Sequence, residues 1–418
     1  MAFLNLNEDT IAAICTAIAA SEGGVAIIRI SGPDAKTVGE SVVSTPKRNP
    51  WKSHNVMYGH VLDVSTKQPI DEVLTFFMQG PNSFTGEDVV EIHCHGGLIA
   101  VQQVLEAVLD HPKTRRALPG EFSQRAVLNG KLNLTQAESI NALIAARSRK
   151  SAKLAMAGLN GGIQRRINQL REKLLDHLCE IEARVDFEDE LPDIDKESLL
   201  KEILQVSIEL KKLVQDYKQS SLLNTGLKIA IIGSPNVGKS SLLNKICKCD
   251  KAIVTNIPGT TRDLLENQII IKGVPINLID TAGIRATNDE VEKLGVAKSF
   301  KALSSADLII LVFDLVNGWT SEDEKLLGNI PAETMKLIVG NKCDLYDLSN
   351  HHPDHKNLTQ SKLDVIFSAH TGEGEDKLIQ ELLKKCGASD IQSLEYALNE
   401  RQKDLAKAAA NSLEKIAI

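Results

Sequence analysis

The chain has 418 residues, 43% of them apolar and 25% charged, which is the composition of a soluble globular protein of two to four domains. No apolar run approaches the ~20 residues of a membrane-spanning helix, and the N-terminus lacks the basic and apolar segments typical of a secretory signal. The seven cysteines lack the spacing of a disulfide framework or a zinc site, so we expect reduced thiols and a cytoplasmic location.

The net charge of −7 argues weakly against a nucleic-acid partner, but the charge is unevenly distributed. Residues 113–173 hold thirteen Lys and Arg against three Glu, whereas residues 176–197 hold ten acidic residues against two basic ones. Exposed helix faces usually explain such runs. Contact with a phosphate backbone would also need a basic stretch of this density, so both interpretations stay open.

The first 120 residues predict a mixed α/β domain. Three short β-rich runs, each closed by glycine or proline, indicate strands at residues 25–30, 73–78 and 88–93. Leu98–Leu109 then has apolar residues at helical spacing and predicts a helix.

A long helical region is predicted for residues 133–185, because apolar residues recur there at helical spacing. Thr135 and Glu138 have the spacing of a capping box at its start, and Gly161-Gly162 is the one strong interruption.

An acidic break at residues 186–195 separates this region from a second helix, predicted for residues 197–218. Residues 220–226 look like a linker, and an amphipathic helix is predicted from Ser393 to the end. Between them, strand-like and helix-like segments alternate as in a mainly parallel α/β sheet, so we expect an inserted domain, with the tail packing back on the earlier helices. The predicted domains are residues 1–120, 121–222, 223–385 and 386–418.

The sequence from Gly233 to Ser240 fits the G-x-x-x-x-G-K-S pattern of a phosphate-binding loop. A β-rich run precedes it and helical spacing follows, which is the context that the motif requires. Its glycines let backbone N–H groups surround phosphates, and the helix N-terminus adds positive potential. Lys239 would reach the β- and γ-phosphates, and Ser240 would bind Mg²⁺.

A second motif, Asp280-Thr281-Ala282-Gly283, follows a predicted strand. Its aspartate would hold Mg²⁺ through water, and the Gly283 N–H would contact the γ-phosphate.

Two further motifs, also at strand ends, predict guanine selection. After Asn341 and Lys342, the Asp344 carboxylate can accept from guanine N1–H and N2–H₂, a donor pair that adenine lacks. Ser368-Ala369 would present a backbone N–H to guanine O6. Together the motifs predict a GTP-binding and GTP-hydrolysing protein.

Residues 259–263 lie where the first switch loop is expected and offer a hydroxyl to Mg²⁺. Ile284 occupies the position where Ras-like GTPases carry the glutamine that orients the attacking water. Another residue must orient that water, and Asp289, Glu290 and Glu292 lie just downstream.

These motifs resemble one family in particular, the tRNA-modification GTPases called MnmE or TrmE, over nearly the whole chain. The runs outside the GTPase motifs that carry the resemblance are residues 23–32, 80–88, 95–97, 119–123 and 128–132. The resemblance implies an α/β plus α fold, in which a Ras-like P-loop GTPase domain is inserted in a helical domain. An α/β folate-binding-like domain, which also dimerises, would precede them.

The resemblance also implies the activity and its partners. GTP would be hydrolysed to GDP and phosphate, coupled to modification at C5 of the wobble uridine of tRNA. The enzyme would act as a homodimer with an FAD-dependent partner, MnmG, in a heterotetramer, with no membrane. The cofactors would be Mg²⁺, K⁺ and a reduced folate that supplies the one-carbon unit, as 5-formyl- or methylene-tetrahydrofolate.

Carried over position by position, the resemblance assigns roles to single residues. Glu292 would align the attacking water, and K⁺ would replace an arginine finger. The folate contacts would be Arg29, Glu91 and Lys131; the K⁺ ligands Asn236, Thr255, Ile257 and Thr260; the Mg²⁺ ligands Ser240 and Thr261. The complete nucleotide set is Gly233, Asn236, Val237, Gly238, Lys239, Ser240, Ser241, Thr255, Thr260, Thr261, Asp280, Thr281, Ala282, Gly283, Asn341, Lys342, Asp344, Ser368 and Ala369.

The chain departs from the family pattern at its end, since family members finish in a Cys-x-Gly-Lys motif and this chain stops at Ile418. We therefore expect it to hydrolyse GTP but to be defective in uridine modification. Two alternatives stay open: a GTP-controlled scaffold without RNA chemistry, and a ribosome-assembly GTPase.

Overall fold

The structure, a computed structural model, describes residues 9–18, 23–45, 50–63, 66–187, 191–248, 267–279, 306–346, 363–389 and 391–416. The chain divides into two compact units, Met1–Ala137 and Glu138–Ile418. None of the helices in these ranges is long and apolar enough to cross a membrane.

The first unit contains a seven-stranded sheet in the order β3-β4-β5-β6-β2-β1-β7, antiparallel except where β7 pairs with β1. The three predicted strands are β2, β5 and β6. The strands are β1 Thr10–Ile14, β2 Val25–Ser31, β3 Val43–Ser44, β4 Val56–Leu62, β5 Pro69–Met78, β6 Val89–His95 and β7 Thr114–Arg116.

Two helices, α1 Ala35–Val42 and α2 Leu98–Leu109, carry the apolar residues that bury one face of this sheet. Helix α2 has the predicted bounds, because its apolar residues recur at helical spacing and five of them are buried. A third helix, α3 Glu121–Leu128, follows β7. Strands β2 and β6 alternate buried residues with half-buried ones, so one side of each strand stays available for polar side chains.

The predicted long helical region is three helices, α4 Leu134–Ile144, α5 Arg149–Leu159 and α6 Gly162–Asp186. The expected break at Gly161 is confirmed, but the prediction missed a second break at residues 145–148. There the Ser148 hydroxyl accepts from the Ser151 N–H and begins α5 with its own capping box.

The capping box predicted at Thr135 and Glu138 is wrong. The side chain of Asn133 accepts from the Gln136 N–H at 2.8 Å, and the Gln136 side chain accepts from the Asn133 N–H at 3.0 Å. Asparagine competes well with threonine at an N-cap, and Glu138 instead accepts from Arg401 at 2.7 Å.

Helix α7 runs over Lys196–Thr225, so the linker predicted at residues 220–226 is wrong. Ser220 and Leu223 are buried, and this burial holds the last two turns in the helix. Only Gly226, with φ 73° and ψ 156°, separates α7 from the next strand.

A six-stranded sheet follows, in the order β13-β12-β11-β8-β10-β9, parallel except for the β9–β10 hairpin. This is the predicted mainly parallel sheet. Its strands are β8 Leu227–Ile232, β9 Asn267–Ile271, β10 Val274–Ile279, β11 Leu308–Asp314, β12 Met335–Asn341 and β13 Val365–Ile366. In the described part of this domain, the α-helices between and after them are α8 Lys239–Lys248, α9 Ser321–Gly328 and α10 Glu375–Lys385.

The chain then returns to the helices through an irregular stretch and ends in α11, Glu400–Ile416. This helix begins seven residues later than predicted, but it packs on α6 and α7 as expected, with Ala406 and Ala410 buried in their shared core. The Ser207 hydroxyl of α7 donates to the Ala410 carbonyl at 3.1 Å. The fold is therefore a Ras-like α/β domain inserted in a helical domain and preceded by an α/β unit.

The β9–β10 hairpin is attached to the helical part of the second unit through Gln392. Its Nε2 donates to the Lys272 carbonyl in the hairpin turn at 2.6 Å, and Lys150 Nζ of α5 donates to the Gln392 carbonyl at 2.8 Å. The hairpin connects the segment that contains the predicted first switch loop, residues 259–263, with the segment that begins at the Asp280-Thr281-Ala282-Gly283 motif.

Candidate functional site

The phosphate-loop motif lies at the carboxyl end of β8, between strand and helix, where parallel sheets bind ligands. Two of its glycines are required by geometry. A Cβ on Gly233, whose φ is 155°, would lie 2.1 Å from the Val312 carbonyl oxygen, and one on Gly238 would lie 2.2 Å from Asn341 Nδ2. The backbone here therefore follows a path that a side chain would block.

The lysine of the loop folds back on the loop itself. Lys239 Nζ donates to the carbonyl oxygens of Gly233 at 2.8 Å and Ser234 at 2.7 Å. Burial lowers the pKa of Lys239, while the nearby carboxylates Glu322 and Asp323 oppose that shift. A partly desolvated cation is thus held in the loop that must accept an anionic ligand.

The remaining predicted loop residues have different exposures. Val237 is buried, whereas Asn236, Ser240 and Ser241 are exposed, the two serines in the first turn of α8. Asn236 has φ 63°, a left-handed conformation that asparagine tolerates better than most residues. These exposed hydroxyl and amide groups suit hard cations such as Mg²⁺ and K⁺, which prefer oxygen ligands.

Asn341, at the carboxyl end of β12, connects the phosphate loop with the predicted guanine loop. Its Nδ2 donates to the Val237 carbonyl at 2.8 Å, and its Oδ1 accepts from the Ala369 N–H at 2.9 Å. Asn341 is only 1% exposed, so both ends of its amide are used inside the protein. The structure thus brings together two motifs that are more than a hundred residues apart in sequence.

Asp344 is exposed beside the buried Ser368, whose hydroxyl donates to Asp344 Oδ1 at 2.6 Å. Lys342 has φ 65°, and its Nζ donates to Asp314 Oδ2 at 2.7 Å. The Asp344 carboxylate therefore has a fixed orientation, and no donor from the described residues contacts its second oxygen. The Ser368 N–H donates to the Glu373 carbonyl at 2.9 Å. The backbone N–H groups of Ser368 and Ala369, one of which is predicted to contact guanine O6, therefore both have partners inside the protein.

Several predicted residues lie outside the described ranges. From the predicted sites these are Thr255, Ile257, Thr260, Thr261, Asp280, Thr281, Ala282, Gly283 and Glu292. Ile284 and the two alternatives to Glu292, Asp289 and Glu290, also lie outside the described ranges. Strand β10 ends at Ile279, directly before Asp280, as the motif requires.

In the first unit the predicted folate residues do not form one cluster of contacts. Arg29 of β2 and Glu91 of β6 are cross-strand partners and form an ion pair at 2.8 Å. Lys131 Nζ instead donates to the Pro81 carbonyl at 2.9 Å. The Arg29–Glu91 pair is half-buried, which strengthens it compared with an ion pair in open water.

Aromatic residues that the sequence analysis did not single out surround this pair. The guanidinium of Arg29 lies 5.1 Å from the Phe84 ring centre and 5.5 Å from that of Phe122. His93 Nε2 lies 3.5 Å from Glu91 Oε2. The two-residue spacing of Glu91 and His93 along β6 could have predicted that both lie on one side of the sheet. No sequence pattern around Phe84 or Phe122 predicts that they lie beside Arg29.

Two arginines of the basic stretch are used for internal ion pairs. Arg125 is fully buried and lies 3.1 Å from Glu121 and from Glu87, and Arg115 lies 2.6 Å from Glu121. Burial raises the pKa of Glu121, but hydrogen bonds from Arg115, the Leu118 N–H and Arg125 outweigh it and lower that pKa to about 2. These charges stabilise the first unit and are not available to a phosphate backbone.

Two family models match the chain. One, described as the GTP-binding protein TrmE N-terminus, matches residues 10–131, and the other, the MnmE helical domain, matches residues 134–417. Together they cover both compact units.

Relatives and solved structures are also similar to the chain. The tRNA modification GTPase MnmE of Prochlorococcus marinus is 58% identical over 409 residues, which are 98% of this chain and 88% of that protein. The protein of the same description from a Synechococcus species is 56% identical, over 97% of this chain and 88% of that protein. Aquifex aeolicus Era bound to GDP and aluminium fluoride is 31% identical over 38% of this chain and 56% of its own, with a TM-score of 0.31.

Proposed function

Because the chain belongs to the MnmE family of tRNA modification GTPases and is a GTP hydrolase, we propose that it couples GTP hydrolysis to C5 modification of the wobble uridine. One observation supports the GTPase half directly: Asn341 connects the phosphate loop with the guanine loop beside an oriented Asp344 carboxylate. A protein that only bound phosphate would not need that connection.

In this proposal the phosphate loop binds the α- and β-phosphates through its backbone N–H groups, and Lys239 exchanges its contacts with the loop for the β- and γ-phosphates. Ser240 and Thr261 would hold Mg²⁺, which neutralises phosphate charge when bound. Asp344 would accept from guanine N1–H and N2–H₂. The Ala369 N–H would reach guanine O6 only by sharing or leaving its contact with Asn341.

Hydrolysis is assigned mainly to residues outside the described ranges, with Asn236 of the phosphate loop as the exception. We propose Glu292 as the residue that aligns water, since Ile284 cannot, and Asn236, Thr255, Ile257 and Thr260 as K⁺ ligands. Glu292→Ala should then leave nucleotide affinity near wild type and slow turnover at least ~10-fold, because alignment of the water matters mainly in the transition state. Equal rates in matched KCl and NaCl would remove K⁺ from the proposal, and normal turnover of the variant would transfer the role to Asp289 or Glu290.

The first unit would bind a reduced folate at the Arg29–Glu91 pair. A cation beside two aromatic rings suits a ligand that carries both an aromatic ring and a negative charge, and a carboxylate such as Glu91 suits the amino groups of a pterin-like ring. Lys131 could join this site only by giving up the Pro81 carbonyl. The remaining parts of the proposal are a homodimer, an FAD-dependent partner, and a cytoplasmic location where tRNA is present.

The test is complementation of a strain that lacks the protein, followed by mass spectrometry of its tRNA nucleosides. Restoration of the C5-modified uridine by the wild-type chain, and its loss in the Glu292→Ala variant, would support coupling of hydrolysis to modification and would overturn the expectation from the sequence that this chain is defective in that modification. If hydrolysis by the purified chain is normal but the uridine stays unmodified, the GTPase assignment stands and the coupling is wrong.

A further inference from the structure

A buried carboxylate lies behind the phosphate loop. Asp323, in the first turn of α9, is 2% exposed. One of its oxygens, Oδ2, accepts from the Thr320 N–H at 3.0 Å and from the Thr320 hydroxyl at 2.7 Å, and these contacts complete the capping box of the helix. The other oxygen, Oδ1, accepts from the Ser234 hydroxyl at 2.8 Å. The cap therefore uses one oxygen of Asp323, and the second is used by the phosphate loop.

Ser234 is held at two points. Its hydroxyl donates to Asp323, and its carbonyl accepts from Lys239 Nζ at 2.7 Å. It stands between Gly233 and the Pro235-Asn236 turn, so the position of Ser234 decides where the following N–H groups of the loop point. A loop that binds phosphate through its backbone depends on that orientation.

Helix α9 is a firm support for this contact. Its Leu326 and Leu327 pack against the buried core of the sheet together with Trp319. The Trp319 ring also meets Phe313 of β11 edge to face, with ring centres 5.2 Å apart. A hydrogen bond from the loop to a carboxylate on this helix therefore connects the loop to the sheet over 89 residues of sequence.

The negative charge of Asp323 also acts on the lysine. Asp323 and Glu322 both favour the charged form of Lys239, against the effect of burial. Taken alone, a carboxylate behind an anion-binding loop would weaken binding, so its presence needs a compensating role.

We propose that Asp323 is a positioning residue for the GTPase reaction, acting through the Ser234 hydroxyl to hold the phosphate loop in its nucleotide-binding conformation. The role lies in binding and not in the chemical step. Contacts to the α- and β-phosphates are equally present in the ground state and the transition state, so their loss raises KM and leaves kcat nearly unchanged.

The test compares the pair Ser234→Val and Ser234→Thr, which are isosteric with each other. Ser234→Val should raise KM for GTP and Kd for GDP about 10-fold, as expected for one lost hydrogen bond to a charged group, while kcat changes less than about threefold. Ser234→Thr keeps the hydroxyl and should restore both constants to within about twofold of wild type. An unchanged KM in Ser234→Val would overturn the proposal.

Thr320→Ala is the matched control, because it removes the cap hydroxyl and leaves the Ser234–Asp323 bond in place. It should lower the melting temperature by about 2–4 °C with KM near wild type. A rise in KM equal to that of Ser234→Val would show that stability of α9 explains the effect, and the proposal would fail.

Asp323→Asn completes a double-mutant cycle. The amide can keep a bond to the Ser234 hydroxyl only as a neutral one, without the negative charge of the carboxylate, so KM should rise in this variant too. If Asp323 acts through Ser234, the double variant with Ser234→Val should bind GTP no more weakly than the weaker single variant. Multiplied effects in the double variant would mean two independent roles and would refute the proposal.

Discussion

The phosphate loop of the second unit and the Arg29–Glu91 cluster of the first unit are built in different ways. In the loop, residues adjacent in sequence determine the path of the backbone, and its two glycines stand where a Cβ would clash with neighbouring atoms. The Arg29–Glu91 pair consists of side chains that are 62 residues apart and meet only because β2 pairs with β6. A site of the first kind is visible as a motif, whereas a site of the second kind depends on strand register.

The largest effect on affinity is expected in the phosphate loop. Gly233→Ala should abolish nucleotide binding, with a loss of more than ~100-fold, because the added methyl group meets the Val312 carbonyl at 2.1 Å. Titration with a fluorescent GDP analogue measures it. Gly328→Ala is the matched control, since a Cβ there has no neighbour within 4 Å. Tight binding by Gly233→Ala would show that the loop is less constrained than this geometry requires.

A smaller loss is expected where the site depends on one side chain of the same unit. Asp344→Asn should weaken GTP binding by about 1.5–3 kcal/mol, because a charge-assisted pair with guanine is lost, and should favour xanthine nucleotides. Calorimetric titration with GTP and xanthosine triphosphate checks both effects. Glu333→Gln, at an exposed position between α9 and β12, should change neither affinity. Unchanged GTP affinity in Asp344→Asn would rule out base recognition by this carboxylate.

In the first unit, the equivalent test is of ligand binding by the Arg29–Glu91 pair. Arg29→Met should weaken binding of 5-formyl-tetrahydrofolate about 10-fold, since the cation beside Phe84 and Phe122 is lost. GDP affinity should stay the same, and the exposed Arg116→Met should behave as wild type. Equal folate affinity in the two variants would locate the folate elsewhere.

The last effect is on the stability of the first unit rather than on binding, and its dependence on pH reveals it. The pKa of Glu121 falls from 4.5 to about 2 on folding, so its contribution is present above pH 4.5 and is lost as the pH falls towards 2. Glu121→Gln should destabilise the first unit by about 3 kcal/mol near neutral pH, since Arg125 is left buried without its full partner. It should also reduce the loss of stability in acid.

The two tryptophans allow this to be measured unit by unit, because Trp51 lies in the first unit and Trp319 in the second. In a Trp319→Phe background, urea unfolding followed through Trp51 fluorescence at pH 6 and pH 3 reports on the first unit. Glu106→Gln, which changes an exposed glutamate of the same unit, is the matched control and should leave the stability at both pH values unchanged. If unfolding depends on pH to the same extent with and without Glu121→Gln, this carboxylate does not stabilise the unit as described.

Local signals explain what could be predicted from the sequence. The bounds of α2 and the position of the phosphate loop after a strand follow from periodicity and from residues that tolerate unusual backbone angles. The errors have tertiary causes. Burial of Leu223 extends α7 through a stretch that looks like a linker, and contact with Arg401 draws Glu138 away from the cap. The bond from Ser234 to Asp323 joins residues too distant for any motif to reveal.

The direct passage from α7 into β8 has a mechanical consequence. A helix of 30 residues is about 45 Å long, and Gly226 is the one residue between it and the nucleotide-binding sheet. If the helix and the sheet moved as rigid bodies about Gly226, a tilt of about 5° there would displace the far end of α7 by roughly 4 Å. A small rearrangement around a bound phosphate would then become a large one at the other end of the bundle.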